Sequence, residues 1–274
     1  MSMDAFHARQ RRPRPRATLQ SPPVPLVVRT RADVLLAARL DCSRARARHL
    51  IEAGKARADG VVIGKPAQAL SGDSLLTLAE DAGCAFVSRG GDKLAGALEH
   101  TRLPVAGCHC LDVGQSTGGF TDCLLAAGAA RVTGVEAGHG QLHPRLLADP
   151  RVRVFTGMNA RTLTAAGLGD ALPDKGFDRV VADVSFISLT LILPSLPPLL
   201  AEDGQMLLLV KPQFEVGPRG IGKGGIVRDV RLYAEVEAKL RHCCADLGLE
   251  VRQWFASSLA GGDGNREFFI WTSK

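Results

Sequence analysis

The chain has 274 residues, of which 46% are hydrophobic and 23% are charged, and its formal net charge is +6. This composition is typical of a soluble protein with one large and one small domain, and disorder is expected only at the N-terminus. The most apolar stretch, residues 189–200, is too short and too rich in proline to span a bilayer. We therefore predict no membrane segment and no membrane partner.

The positive charge is concentrated at the N-terminus. Residues 1–80 hold 14 Lys and Arg against 7 Asp and Glu, whereas the remaining residues hold 20 against 21. Such an excess predicts a polyanionic partner, because basic side chains that neutralise phosphates release condensed counterions; a solubilising tail is the alternative. Residues 1–30 lack the apolar core of a secretory signal, so we interpret them as a disordered basic arm.

The 7 cysteines are scattered and form no CxxC pair, although Cys108 and Cys110 flank His109. This usage favours small buried residues in a reducing cytoplasm over a zinc site, since a tetrahedral site needs suitably spaced ligand pairs. We therefore expect a cytoplasmic protein without a bound metal.

Residues 31–80 have the pattern of a compact module. Apolar spacing predicts a helix over residues 33–40, and Ser43 is a suitable N-cap for a second helix that ends near Gly54. On the second helix, arginines lie on one face and apolar side chains on another. This arrangement predicts that one face packs and the other meets phosphates.

The rest of the module predicts short strands. The Asp59-Gly60 pair indicates a hairpin, and residues 75–78 indicate a further strand. Two helices followed by a hairpin resemble the RNA-binding fold of ribosomal protein S-four, although Ala58 and Asp59 stand where that family often has Val and Asn. The resemblance implies contacts to phosphate and shape rather than to bases; a solvated basic helix is the alternative. The cations expected to bind RNA are Arg31, Arg44, Arg46, Arg48, Lys55 and Arg57.

The remainder alternates strand and helix patterns, which predicts a parallel sheet covered on both faces. We expect a doubly wound, Rossmann-like α/β domain of about seven strands over residues 93–274, joined to the module by a linker at residues 81–92. The predicted strands are residues 110–113, 131–136, 152–155, 177–182, 205–210, 250–256 and 267–271, and the predicted helices are residues 119–127, 141–147 and 232–247.

The stretch "LDVGQSTGGF", residues 111–120, spans the end of the first of these strands and the loop after it. Small residues let a ligand approach the backbone, and the following helix offers unpaired N–H groups. The loop is neither a P-loop nor a GxGxxG turn, which disfavours a diphosphate. Glu136 ends the second strand, where a carboxylate can accept hydrogen bonds from two ribose hydroxyls. These features predict a nucleoside without phosphates, and they resemble the S-adenosylmethionine site of Rossmann-like methyltransferases.

The expected cofactor contacts follow from position at the strand ends. Asn159 is suited to fixing the adenine and Asp183 to facing the methionine amino group, while Phe120 is expected to pack the loop rather than stack on adenine. The full set of predicted cofactor-binding residues is Asp112, Gly114, Ser116, Thr117, Gly118, Gly119, Phe120, Glu136, Asn159 and Asp183.

The pattern places four polar residues at the same crevice, namely Lys93, Asp183, Lys211 and Glu267. Lys211 follows the apolar "MLLLV", and desolvation beside Lys93 favours a neutral amine that can act as a general base. A hydroxyl oxygen that loses its proton can then attack a sulfonium methyl group, with Asp183 and Glu267 orienting the lysines and the hydroxyl. Taken singly, each residue also fits a solvated strand end or a surface ion pair.

The group of four resembles the Lys-Asp-Lys-Glu tetrad of FtsJ-like ribose 2′-O-methyltransferases. The segments "VSRGGDKL", "LDVGQSTGGFTDCLL", "DVSFISL", "LVKPQFE", "GKGGIVRD" and "GNREFF", in this order behind the basic module, resemble the TlyA family of ribosomal RNA methyltransferases, often called haemolysins. The resemblance covers about residues 31–272 and implies S-adenosylmethionine-dependent 2′-O-methylation of cytidine in ribosomal RNA, with these four residues as the tetrad. Gln115 and Glu136 depart from the usual Ala and Asp, which bears on cofactor affinity.

The sequence leaves three alternatives. One is an RNA-binding protein without methyltransferase activity, and another is a haemolysin that acts on membranes, for which no clearly amphipathic surface helix is found. The third is base methylation, which favours an Asn/Asp-Pro-Pro-aromatic motif where this chain has "DVSF". Lys223 and Arg228 either close over RNA or cofactor or belong to a surface loop. We expect ribosomal RNA or ribosomal subunits as partner, no obligate protein partner, and rigid coupling of RNA docking to catalysis through the linker.

Overall fold

The computed structural model of the chain describes residues 29–40, 44–52, 54–78 and 86–274, and among these it leaves out the side chains of Ala45, Arg46, His49 and Lys223. Most of the predicted basic arm, the Ser43 cap and the first half of the predicted linker lie outside the described residues.

The N-terminal module contains the two predicted helices and the predicted hairpin. Its core is formed by Leu36, Ile51 and Ile63, each of which is almost completely buried. The strands Arg29–Arg31 and Ala69–Ser71, which pair with each other, were not predicted, because three-residue strands carry too little alternation to be recognised. The elements are β1 (Arg29–Arg31), α1 (Ala32–Arg39), α2 (Arg44–Glu52), β2 (Ala56–Ala58), β3 (Val61–Val62), β4 (Ala69–Ser71) and β5 (Leu76–Leu78).

The second part of the chain is built on one seven-stranded sheet, which confirms the predicted α/β class. The elements are α3 (Arg89–Thr101), β6 (His109–Val113), α4 (Gly119–Ala126), β7 (Arg131–Glu136), α5 (Pro144–Leu147), β8 (Val152–Thr156), α6 (Ala165–Leu168), β9 (Phe177–Ala182), β10 (Leu200–Val210), α7 (Arg231–Asp246), β11 (Glu250–Ala256) and β12 (Phe268–Ser273). The strand order is β11-β12-β10-β9-β6-β7-β8.

The sheet has a topological switch point at β6. The chain runs from β6 to β7 and β8 on one side and then returns to β9 and β10 on the other, all in parallel. Strand β12 is antiparallel to both of its neighbours. A crevice therefore opens beyond the carboxyl ends of β6 and β9, the usual ligand site of such sheets.

Alternating strand residues pack on opposite faces of the sheet. Leu111 and Val180 belong to the core on one face, whereas Cys110, Val181 and Leu207 belong to the core on the other, beside α3 and α4. Burial on both faces fixes the register of the central strands, because a shift by one residue would exchange the two faces. In the described part of the chain, no helix has the length and apolarity needed to cross a membrane.

Several elements of the second part differ from the sequence prediction, since α6 was not predicted and β10 begins at Leu200 instead of residue 205. Helix α3 was not predicted, and its first turn, residues 89–92, lies in the segment expected to be linker. Two glycines and Lys93 conceal its apolar face, and Gly91 is required for packing, since a Cβ there would collide with Phe86. The helix predicted over residues 141–147 begins only at Pro144, where the His143 side chain caps the Arg145 N–H.

Candidate active site

A cavity of about 570 Å³ lies at the carboxyl ends of β6, β7 and β9. It is lined by the loop after β6 and by the strand-end residues Glu136, Asn159 and Asp183, together with Lys93 and Lys211. Four residues of the N-terminal module, Leu40, Leu50, Lys55 and Leu78, also line it. The RNA-binding candidate Lys55 and the cofactor candidates therefore share one cavity.

The loop after β6 is tightly turned. Gly114, Ser116 and Gly118 have φ angles of 83°, 49° and 94°, in the left-handed region that favours glycine. A Cβ at Gly114 would lie 2.6 Å from the backbone oxygen of Asp183, so a glycine lets this loop approach the end of β9. Gly118 makes room for the side chains of Leu146 and Leu142 and does not line the cavity. The sequence predicted a cofactor contact for Gly118, and the structure places this glycine against these two side chains.

Glu136 holds the loop and faces the cavity. Its carboxylate accepts hydrogen bonds of 2.9 Å from the backbone N–H groups of Ser116 and Gly138. The Ser116 hydroxyl is also 3.3 Å from the Gln141 side-chain oxygen, a contact that the sequence did not indicate. Asn159 lines the cavity while its side-chain oxygen accepts the Arg161 N–H at 3.0 Å. The carboxylate and the amide therefore lie at neighbouring strand ends, as their spacing predicts.

Asp112 lies beneath the loop rather than in the cavity. It is completely buried and accepts a 2.7 Å hydrogen bond from the Thr121 hydroxyl, which in turn accepts one of 2.9 Å from Gln115. Burial raises the pKa of Asp112 to about 7. Phe120 is also buried and stacks on Phe269 with a centroid distance of 6.4 Å. Phe120 nevertheless lines the cavity, whereas Asp112, which was expected to contact cofactor, does not.

The four candidate catalytic residues form two ion pairs. Lys93, in α3, donates a 2.5 Å hydrogen bond to Glu267, the residue immediately before β12. Lys211, which follows β10, has its Nζ 2.5 Å from Oδ1 of Asp183. Burial raises the pKa of Glu267, and the charges of Lys93 and Lys211 oppose this effect, so both lysines act on one carboxylate. Lys93, Asp183 and Lys211 line the cavity, and Glu267 lies behind them.

Two further residues of "DVSFISL" belong to this site. Ser185 accepts a 2.9 Å hydrogen bond from Lys211 Nζ. Phe186 is 59% exposed at the cavity and has a φ of 63°, an unusual backbone conformation for a bulky residue. Its ring lies 5.1 Å from that of Phe214. Ser185 was accessible to prediction, because it lies two residues after Asp183 in "DVSFISL", whereas no pattern indicates the exposure of Phe186.

The RNA-binding candidates differ in how they are held. Asp33 is buried and binds two of them, with Arg31 at 3.0 Å and Arg44 at 2.9 Å. Hydrogen bonds from Arg31 and then Arg44 hold the pKa of Asp33 well below its usual range. Arg48 lies 3.6 Å from Glu52 on the exposed face of α2.

Arg57 donates to the backbone oxygen of Gly60 at 3.0 Å, and the side chain of Arg46 lies outside the described residues. The segment that contains Arg228 does not line the cavity and is fastened by Asn265, which binds the backbone of Gly225 and Val227. Within the described ranges, no group of three His, Cys, Asp or Glu side chains is arranged to hold a metal ion.

Comparison with known proteins identifies the same architecture. The FtsJ-like methyltransferase family matches residues 86–274. The "16S/23S rRNA (cytidine-2'-O)-methyltransferase TlyA" of Mycobacterium tuberculosis is 46% identical over 244 residues, which cover 89% of each chain. The protein "Hemolysin A" of Brachyspira hyodysenteriae is 34% identical over 82% of this chain and 92% of its own. A solved structure of a hemolysin from Streptococcus thermophilus is 35% identical, with a TM-score of 0.67 over 90% of this chain and 89% of that one.

Proposed function

This chain belongs to the FtsJ-like methyltransferase family and uses S-adenosylmethionine, and we propose that it methylates the ribose 2′-hydroxyl of cytidine in ribosomal RNA. One observation carries the proposal: Lys211 is held against Asp183, with little exposure, in the cavity that the loop after β6 also lines. The proposed reaction is the one named for the relative from Mycobacterium tuberculosis.

The residues of the cavity fit S-adenosylmethionine. A volume of about 570 Å³ is within the range of cofactor sites, and the turned backbone of residues 114–118 leaves room for a close approach. The Glu136 carboxylate suits ribose hydroxyls and would repel a phosphate. In this proposal Gly114, Ser116, Thr117, Gly119, Glu136, Asn159 and Asp183 hold the cofactor. When bound, the cofactor supplies an electrophilic methyl group on a sulfonium.

The protein's own residues then accept the proton of the ribose hydroxyl and orient that hydroxyl. Lys211 Nζ accepts the proton of the ribose hydroxyl, and Asp183 and Ser185 fix the direction of its side chain. Lys93, held by Glu267, places a positive charge beside the oxygen that becomes negative. The two carboxylates act on the lysines and thereby orient the reacting hydroxyl.

Phe186 offers a surface for the target base. Its ring is exposed at the cavity that Asp183 also lines, and its φ of 63° is a strained conformation of the kind found at functional sites. Bases of single-stranded RNA stack readily on aromatic rings. We assign to Phe186 the stacking of the cytidine base while its ribose faces Lys211.

The N-terminal module supplies RNA binding in this proposal, through Arg31, Arg44, Arg46, Arg48, Lys55 and Arg57. The second half of the linker contacts the catalytic domain directly, because the Val87 N–H donates a 2.9 Å hydrogen bond to Asp122 in the first turn of α4. This contact supports rigid coupling of RNA docking to catalysis. We propose that the enzyme acts on ribosomal RNA or ribosomal subunits in the cytoplasm and needs no obligate protein partner.

A methyl-transfer assay tests this function. Purified protein is incubated with tritiated S-adenosylmethionine and ribosomal subunits or free ribosomal RNA, and labelled sites are mapped by resistance to alkaline cleavage. Label at alkali-resistant sites that disappears in Lys211→Ala is the expected result. Lys175→Ala, at an exposed lysine near the opposite end of the sheet, is the matched control and should keep full activity. Cofactor binding without label on any ribosomal substrate would refute the substrate assignment.

A further inference from the structure

The loop after β10, which begins at Lys211, and the loop after β9, which begins at Asp183, contact each other at three points. At the cavity, Lys211 contacts Asp183 and Ser185. Next along both loops, the rings of Phe214 and Phe186 are 5.1 Å apart. At the rear, a buried carboxylate of one loop binds the end of the other. The first contact contains the reacting amine, and the third contains no residue of the proposed catalytic set.

Glu215 provides the third contact. Its side chain is 1% exposed and accepts a 2.6 Å hydrogen bond from the Leu189 N–H and another of 2.6 Å from the Ser188 hydroxyl. Lys239, on α7, donates to the same carboxylate at 2.8 Å and to the Glu215 backbone oxygen at 3.2 Å. One buried charge therefore ties together two loops and a helix.

The backbone of the two loops couples the position of Glu215 to the positions of Lys211 and Asp183. On its own loop, Glu215 follows a tight turn in which the Phe214 N–H bonds to the Lys211 backbone oxygen at 2.9 Å. The other loop is fixed at its start by the Asp183 N–H, which bonds to Val113 of β6 at 3.0 Å, and at its end by Glu215. A shift of the carboxylate would therefore change the distance between Lys211 and Asp183.

Stability alone does not account for this arrangement. The pair of Glu215 with Lys239 contributes little net stability, because the buried carboxylate must leave water while the lysine remains 42% exposed. What it does provide is a single geometry, since each partner is satisfied only in one position. Near the reacting groups, that geometry determines the rate, because a displacement of about 1 Å can reduce it about a hundredfold.

We propose that Glu215 is a positioning residue that keeps Lys211 and Asp183 in register, an inference that rests on the proposed function of the two as reacting and orienting groups. Ser188 and Lys239 act with it, as the donor on the facing loop and as the balancing charge from α7. Glu215 touches neither substrate nor cofactor.

Four variants test the proposal: Glu215→Gln, Glu215→Ala, Ser188→Ala and, as matched control, Glu237→Gln. The control removes another carboxylate that pairs with a cation of α7, the surface pair of Glu237 with Arg241 at 2.8 Å. The measurements are kcat and KM for ribosomal RNA, the Kd of S-adenosylmethionine, and hydrogen exchange of residues 183–191. Ser188→Ala removes the hydroxyl that donates to Glu215 and that also contacts Thr190 and Lys239. It leaves the carboxylate paired with Lys239 and the Leu189 N–H, so it keeps the test informative where a Glu215 variant does not fold.

We expect kcat to fall about tenfold to a hundredfold in Glu215→Gln and Glu215→Ala and less in Ser188→Ala, because positioning is lost in that order. The KM for RNA and the Kd of the cofactor should stay within about threefold of wild type, as binding contacts are untouched. Amide exchange at Leu189 should accelerate while β6 and β7 stay protected. Glu237→Gln should behave as wild type throughout.

Two results would overturn the inference: folded Glu215 variants with wild-type kcat, or a loss of kcat that follows only a loss of cofactor binding. Failure of the proposed function looks different. In that case the wild-type protein itself transfers no methyl group to ribosomal RNA, whereas the exchange of Leu189 still reports whether Glu215 holds the loop.

Discussion

Lys93 and Glu267 are 174 positions apart in the chain, yet a 2.5 Å hydrogen bond joins them at a site where both residues are buried. The pair connects α3 to the start of β12, and the apolar surroundings raise the pKa of Glu267 against the influence of Lys93. Neither charge would be stable there without the other.

The first prediction concerns the removal of one partner. Lys93→Met leaves a carboxylate unpaired in the interior, so we expect a loss of about 3–5 kcal/mol in the free energy of unfolding. In Lys93→Met/Glu267→Gln the buried charge is gone, and most of that loss should be recovered although methyl transfer stays absent. Urea denaturation monitored by circular dichroism measures both. Additive losses in the double variant would show that the two residues do not interact.

The second prediction concerns the pH dependence of stability. Burial raises the pKa of Asp112 to about 7, whereas an unfolded Asp titrates near about 3.9. Between these values the folded state binds more protons than the unfolded state, so the free energy of unfolding falls as the pH rises, by at most about 4 kcal/mol. The contribution of Asp112 is thus complete below about pH 4 and lost above about pH 7.

Asp112→Asn should flatten this dependence between about pH 4 and 7, measured by urea denaturation across the range. Asp174→Asn, at an exposed carboxylate, is the control and should leave the slope unchanged. The contribution of Asp33 to the free energy of unfolding depends on pH in the opposite direction, since the pKa of Asp33 is lowered. It is lost only as the solution becomes more acidic than about pH 4. An unchanged slope in Asp112→Asn would contradict the assignment.

The third prediction separates RNA contacts from structural arginines. Arg48 and Glu52 lie 3.6 Å apart and are both more than half exposed, so this pair contributes little to stability. Arg48→Ala should weaken RNA binding at every sequence and reduce the slope of log affinity against log salt by about 1. Glu52→Gln removes a negative charge from the same face and should strengthen binding. Filter binding at several salt concentrations tests both variants. Wild-type affinity for RNA in both would show that this face of α2 does not bind RNA.

The fourth prediction concerns Phe186. Phe186→Ala removes the proposed stacking surface, which should cost about 1–3 kcal/mol in RNA binding and raise KM accordingly. Phe186→Tyr keeps a ring and should retain activity. Phe186→Gly also lacks the ring, but glycine relieves the φ of 63°, so this variant should be at least as stable as Phe186→Ala. Wild-type KM in both ring-less variants would rule out stacking.

Residues whose placement depends on strand order were predictable from the sequence, whereas residues whose placement depends on packing were not. Asp183 and Lys211 follow strands that end at one edge of the sheet, so their proximity was predictable. Alternation along β6 does not reveal that Asp112 lies under the loop, and no local pattern shows that Asp33 binds two predicted RNA contacts. Glu215 was not predicted for the same reason, because its partners Ser188 and Lys239 lie on separate elements.

The departure at Gln115 provides the last prediction. Its side chain occupies the space above Gly134 of β7, where a Cβ would collide with the Gln115 amide. Gly134→Ala should therefore push Gln115 out of its hydrogen bond with Thr121, at a cost of about 1–3 kcal/mol in stability, and weaken the binding of S-adenosylmethionine.

Gln115→Ala empties the space that Gly134→Ala needs, so the double variant should bind the cofactor more tightly than Gly134→Ala alone. Thermal unfolding and cofactor titration of the two single variants and the double variant form a complete cycle. A double variant as weak as the sum of its parts would show that the collision is relieved elsewhere. Recovery would show instead that a long side chain in the cofactor loop is tolerated because the facing strand has a glycine, which makes the two positions one unit.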